Sequence, residues 1–166
     1  MKPKNTIGFW INTELIYDHY KSTSDELNVP HIFIIKNGIS DDLVEKMRRD
    51  GKHILYEKDL SSKVSVLISN HYNSYCHKNY SDCHIRMMYG LHMSKWDLEK
   101  WNEMYSLFLA HGNRDAKVFY KKFQKPVYIM GYPKYDKYID KEKPEDKSEL
   151  NVLWLPTYGE KASSLT

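Results

Sequence analysis

His31-Ile32-Phe33-Ile34-Ile35-Lys36-Asn37-Gly38-Ile39-Ser40-Asp41-Asp42-Leu43-Val44-Glu45-Lys46-Met47 is the stretch that decides the fold class. Its opening residues are apolar without alternation, which suits a strand covered on both faces. Asn37-Gly38 closes that strand. Ser40 can then cap a helix, with Asp41 and Asp42 in its positive first turn. Leu43, Val44 and Met47 recur at helical spacing and supply the buried stripe. A strand, a turn and an amphipathic helix in immediate succession make the repeating unit of an α/β domain.

The same rhythm runs outward in both directions. Toward the N-terminus, Ile7 to Ile11 reads either as a first strand or as the lead into a helix. Asn12 can cap the segment Thr13 to Lys21, where Leu15, Ile16, His19 and Tyr20 fall on one side. Toward the C-terminus, strands are expected at Lys52 to Glu57, Val64 to Ile68, Ile85 to Tyr89, Leu107 to Ala110 and Val127 to Met130. Ser94 and Asp97 have capping-box spacing and open a helix carrying Leu98, Trp101, Met104 and Tyr105. Asn113 can cap another that turns Ala116, Phe119, Tyr120 and Phe123 inward. Tyr135 and Ile139 suggest a short helix before the charged run Asp140 to Glu149, which with Pro144 reads as a linker.

The expectation is therefore an α/β fold, a Rossmann-like parallel sheet with helices on both faces. Residues 1–143 form one domain. Residues 144–166 form a linker and the first strand, Val152 to Leu155, of a second domain. In open parallel sheets, ligands sit beyond the carboxyl ends of the strands. Asn70-His71, Tyr89-Gly90, His111-Gly112, Gly131-Tyr132-Pro133 and Thr157-Tyr158-Gly159 all follow apolar strands directly. If the strands are parallel, these clusters gather on one edge.

Composition narrows the function classes. With 25 basic and 22 acidic side chains in 166 residues, the net charge of +3 is a small difference between mixed populations. That argues against a nucleic-acid partner, which calls for a larger excess. Fourteen tyrosines and four tryptophans fit either a sugar-facing surface or an aromatic core. No run approaches a membrane span and no signal peptide is visible, so the expected compartment is the cytosol with both thiols reduced. No glycine triplet follows the first strand and no Gly-Lys-Ser/Thr loop occurs, which sets aside dinucleotide binding and P-loop hydrolysis. Cys76-His77 and Cys83-His84 lack a zinc spacing, so no metal is expected.

Among candidate site residues, His92 follows a strand closely and can act as a base on a hydroxyl, or it simply hydrogen-bonds within its loop. Lys95 and Arg86 could face phosphates. Arg86, internal to a strand, is the more unusual of the two. Gly131 and Pro133 shape a turn that Asp136 can brace, or they contact ligand.

The order Met87-Met88-Tyr89-Gly90, Trp96, Trp101-Asn102, His111-Gly112, Gly131-Tyr132-Pro133-Lys134-Tyr135-Asp136 and Leu153-Trp154-Leu155-Pro156-Thr157-Tyr158-Gly159 with Ser163-Ser164 resembles the CDP-glycerol glycerophosphotransferase family. The likeness runs from roughly residue 64 onward. It implies the front, acceptor-side half of a two-domain glycosyltransferase B architecture that needs no bound metal. The implied reaction transfers glycerol phosphate from CDP-glycerol, or a related nucleotide-activated donor, to a membrane-linked polyol-phosphate or glycan acceptor. The enzyme would act in the cytoplasm, on the inner face of the membrane.

The expected substrate-binding set joins residues read from their own position and charge, Asn70, His71, Arg86 and Lys95, to positions that the resemblance covers, Gly90, His111, Gly131, Pro133, Asp136, Thr157, Gly159, Ser163 and Ser164. Family members place a His-Gly pair where this chain has Tyr89-Gly90, and that histidine is implicated as the base. Tyrosine, with an ordinary pKa of ~10, is a poor base unless strongly shifted. Either His92 substitutes, or Tyr89 contacts substrate and the base comes from elsewhere. The donor-side motifs are missing from these residues. The reading therefore expects a further C-terminal domain or a complementary polypeptide, and no turnover from these residues alone. Two alternatives stand beside it: a non-catalytic carbohydrate or nucleotide-sugar binding module, and a sugar transferase of the same architecture.

Overall fold

The computed structural model describes residues 6–70, 80–90, 93 and 95–138. Among these residues, seven strands form a single parallel sheet: β1 (Ile7–Ile11), β2 (His31–Ile35), β3 (Ile54–Tyr56), β4 (Val66–Ser69), β5 (His84–Met87), β6 (Leu107–Ala110) and β7 (Val127–Ile129). Their order is β3-β2-β1-β4-β5-β6-β7, and every pair runs parallel. This is the expected α/β, Rossmann-like arrangement. The open reading of Ile7–Ile11 resolves as a strand because it lies between β2 and β4. Phe9 and Ile11 bury on one face and Trp10 on the other, so an alternating pattern would be wrong here.

The helices divide between the faces. On the first, α1 (Tyr17–Asp25) and α2 (Asp41–Arg49) pack Tyr17, Tyr20, Leu43, Val44 and Met47 onto Phe9, Phe33, Ile35, Ile68 and Met87. Ser40 does cap α2, its Oγ accepting from the Leu43 amide at 3.4 Å. On the second face, α3 (Asn113–Phe123) sets Phe119 and Phe123 on Phe108, with ring centroids 4.9 and 5.2 Å away.

Several local expectations are corrected. Asn12 does not cap the first helix. A 3-10 turn at Glu14–Ile16, preceded by Thr13, leads into α1, and Leu15 points to solvent at 81% exposure. Asn113 is the first residue of α3, with Gly112 in the cap position. Tyr120 faces outward rather than into the core. The helix expected after Ser94 is instead two 3-10 turns, Lys95–Leu98 and Lys100–Met104. Asp97 bonds to Arg86, and the Asn102 amide donates to the carbonyls of Trp96 (3.2 Å) and Glu99 (3.0 Å), which favours the narrower 3-10 winding with fewer residues per turn. Ser94, the linker and the strand Val152 to Leu155 lie outside the described residues.

Gly8 lies where β1 is closely packed by its neighbours. A Cβ there would meet the terminal methyls of Ile34 and Leu67 at 3.0 Å and a Val64 methyl at 3.1 Å. All three neighbours are buried, so they have little room to yield. Gly8→Ala is expected to destabilise the fold by about 1–3 kcal/mol, measured as a lower urea midpoint.

Candidate functional site

Because all seven strands run one way, their following loops meet on a single edge. β1 and β4 are neighbours whose chains depart in opposite directions, to β2 and to β5, which makes their carboxyl ends the topological switch point. Asn12 follows β1 there, with its Oδ1 buried and lacking a hydrogen-bond partner, and the buried Asn70 follows β4. Ser69, one residue earlier, is fixed by a 2.9 Å hydrogen bond with the Tyr105 hydroxyl.

Further along the edge the structure assembles a histidine–tyrosine cluster from four separate elements. After β7, Gly131 takes a positive φ of 72° and turns the chain into a 3-10 segment, Pro133–Tyr138, that crosses the edge to pack on α1. A side chain at that φ would be strained, so glycine suits the hinge. The strap carries Tyr132 between two imidazoles. His111, after β6, lies 4.6 Å from its ring and His19, on α1, lies 5.3 Å away, both near edge-on. Tyr135 stacks on Tyr132 at 4.9 Å, and the Tyr132 hydroxyl donates to the Tyr89 carbonyl at 2.9 Å. Tyr89 turns its ring edge-on to His19 at 6.2 Å.

Both histidines are held toward the neutral form. Burial lowers the His19 pKa to about 4, helped by the Lys134 charge and by that of His111 when it is protonated, and opposed by Asp18. Burial also lowers His111, outweighing the carbonyls of Met88 and Gly90 and the Asp115 carboxylate, which favour its protonation. His111 Nε2 lies 3.1 Å from the Met88 carbonyl. A carbonyl only accepts, so Nε2 carries the proton and Nδ1 keeps the lone pair. That Nδ1 is buried and has no hydrogen-bond partner. An oriented neutral imidazole with its lone pair uncommitted is suited to taking a proton from a hydroxyl.

The other expected site residues are placed as follows. Tyr89, Gly90, His111, Gly131 and Pro133 come together at this edge, and Asn70 lies on it at the switch point. Asp136 is exposed on the strap, across a shallow acidic groove from Asp18 and Asp25. Lys95 is exposed on its 3-10 turn beside Trp96 and Lys100.

Arg86 is displaced from the expected surface role. It is 2% exposed, on β5, with its guanidinium paired to Asp97 and 2.5 Å from Asn102 Oδ1. It stacks on Trp101 at 4.8 Å and Phe119 at 5.6 Å. Side chains on β5 alternate faces, and position 86 points into the layer beneath α3. Its work is internal. His92, His71, Thr157, Gly159, Ser163 and Ser164 lie outside the described residues.

His19 and Tyr132 were not among the expected site residues. The helix after β1 begins at the carboxyl edge, so its first turns face the same space as the loops. His19 stands only eight residues past Ile11, and that spacing was the available signal. Among the described residues, no group of three or more His, Cys, Asp or Glu could hold a metal ion, and no helix is long and apolar enough to cross a membrane. No protein-family model, curated protein or solved structure matches this chain.

Proposed function

We propose that the chain is the acceptor-side domain of a glycerophosphotransferase of glycosyltransferase B architecture, acting on a polyol-phosphate or glycan acceptor with CDP-glycerol as donor. The observation that supports this most is the His111 imidazole, neutral and oriented at the carboxyl edge of a parallel sheet. In the reaction, an acceptor hydroxyl oxygen attacks the phosphorus that carries glycerol. A new O–P bond forms, the P–O–P bridge breaks and CMP leaves with the bridging oxygen. The hydroxyl proton passes to His111 Nδ1, which is buried, so acceptor entry has to displace a side chain that covers it. A donor-binding domain or complementary polypeptide supplies the nucleotide site, and the assembly works on the cytoplasmic face of a membrane.

The test measures CMP release from CDP-glycerol with a glycerol-phosphate oligomer as acceptor, using the chain joined to its donor-binding partner. His111→Gln is expected to lower release by roughly 100-fold or more while the circular dichroism spectrum stays unchanged. Saturable oligomer binding without any CMP release would instead favour the non-catalytic carbohydrate module. The half-exposed rings of Tyr89 and Tyr135 beside the cluster support that second reading, since they can stack on sugar faces. Neither binding nor release would remove both.

A further inference from the structure

The proposed base is also a hidden one. His111 Nδ1 is buried without a hydrogen-bond partner, and the ring packed against its imidazole is Tyr132, 4.6 Å away. His19, the second imidazole under that ring, is only 5% exposed. No hydroxyl meets Nδ1 while it stays covered. An uncommitted lone pair shut inside a closed cluster calls for a way in.

The strap after β7 is built to supply it. One end is fixed in the sheet, where the Met130 amide donates to the Ala110 carbonyl at 2.8 Å. The next residue, Gly131, has its φ of 72°, and a Cβ there would meet nothing within 4 Å. Packing therefore does not select glycine at this position; backbone rotation does. Beyond the hinge, the Tyr135 amide donates to the Tyr132 carbonyl at 3.0 Å and the two rings stack, so they travel together. Among the strap's described side chains only Pro133 is buried, and opening exposes little apolar surface. The Tyr132 hydroxyl holds the Tyr89 carbonyl as an exposed latch that water can replace.

We propose that residues 132–138 form a gate that swings about Gly131, and that Tyr132 is the gating residue whose departure lets an acceptor hydroxyl reach His111. The inference rests on the transferase reading for what enters, but not for the motion. Closed, the gate keeps water off the lone pair. Open, it uncovers His111 and His19 together. Tyr132 touches the base without joining the chemistry.

The experiment treats the full chain with diethyl pyrocarbonate at about pH 7.5 and follows each histidine by peptide mass spectrometry. The reagent acylates an imidazole nitrogen that bears a lone pair, so the rate follows the open population when the gate moves faster than the reagent. Burial holds both imidazoles toward the neutral form, which leaves access to set their rates. Gly131→Ala strains the closed φ and should raise His111 and His19 modification by roughly fivefold or more. Tyr132→Phe, which loses the latch alone, should raise it by roughly threefold. His84, 3% exposed at the opposite edge where β5 begins, reports unfolding and should keep its native rate in both variants. Unchanged His111 rates in both variants, or His84 accelerating in step with His111, would each overturn the gate. The readout uses neither donor nor turnover, so a failed CMP assay beside a working gate counts against the transferase reading alone.

Discussion

Asp97→Ala is expected to lower the stability of the fold by about 3–5 kcal/mol, a large share of what a domain of this size has available. Arg86 is 2% exposed and Asp97 8% exposed, so removing the carboxylate strands a guanidinium in the interior. The remaining contacts, Asn102 Oδ1 at 2.5 Å and the Asp97 carbonyl at 3.2 Å, hydrogen-bond the cation without neutralising it. Arg86 Nε already has no partner, so the network has no reserve. Urea unfolding checks this. Arg86→Met combined with Asp97→Leu should recover most of the loss, because an apolar pair of similar volume removes both desolvation costs. A loss below about 1 kcal/mol for Asp97→Ala would mean that water reaches the pair as it does a surface ion pair.

Acid should weaken the domain through His19. Its pKa is about 4 in the fold against an ordinary 6.5, so the folded state binds fewer protons than the unfolded chain between those values. The stabilisation is fully present above pH 6.5 and is lost as pH falls through about 4. Lowering the pH from 7.5 to about 4.5 is expected to cost about 2–3 kcal/mol from this group. His111 acts in the same direction, since its pKa is also lowered. The groups facing His19 are Lys134 on the strap, His111, Asp18 on its own helix, and the rings of Tyr89 and Tyr132. Only Asp18 favours its protonation, and burial outweighs that carboxylate. Urea midpoints of the native chain and His19→Gln at both pH values test the assignment. The variant should lose most of the pH difference, and an unchanged difference would place the acid sensitivity elsewhere.

The chain announced its sheet through runs such as Ile32–Ile35 and Leu107–Ala110, because a strand covered on both faces must be continuously apolar. The common edge followed from those runs once the strands were parallel. What could not be read was how remote side chains answer one another. Asp97 resembles a helix-capping residue until Arg86, eleven positions earlier, claims it. Arg86 resembles a phosphate ligand until the face it occupies is known. Tyr132 sits in a turn motif that gave no sign of reaching an imidazole more than a hundred residues upstream. Pairings of that kind depend on strand order, and order is not written in any local pattern.

The strap after β7 also sets a timetable for the molecule's birth. His19 leaves the ribosome long before Tyr132, and at roughly 5–20 residues per second the interval is on the order of ten seconds. Throughout that wait α1 has β1 and β2 to rest on but not the ring that closes over its histidine. That docking joins the first helix to the strap after β7, a pairing of the long sequence separation that slows folding. A newborn chain is therefore expected to show its imidazoles to water first and to hide them last.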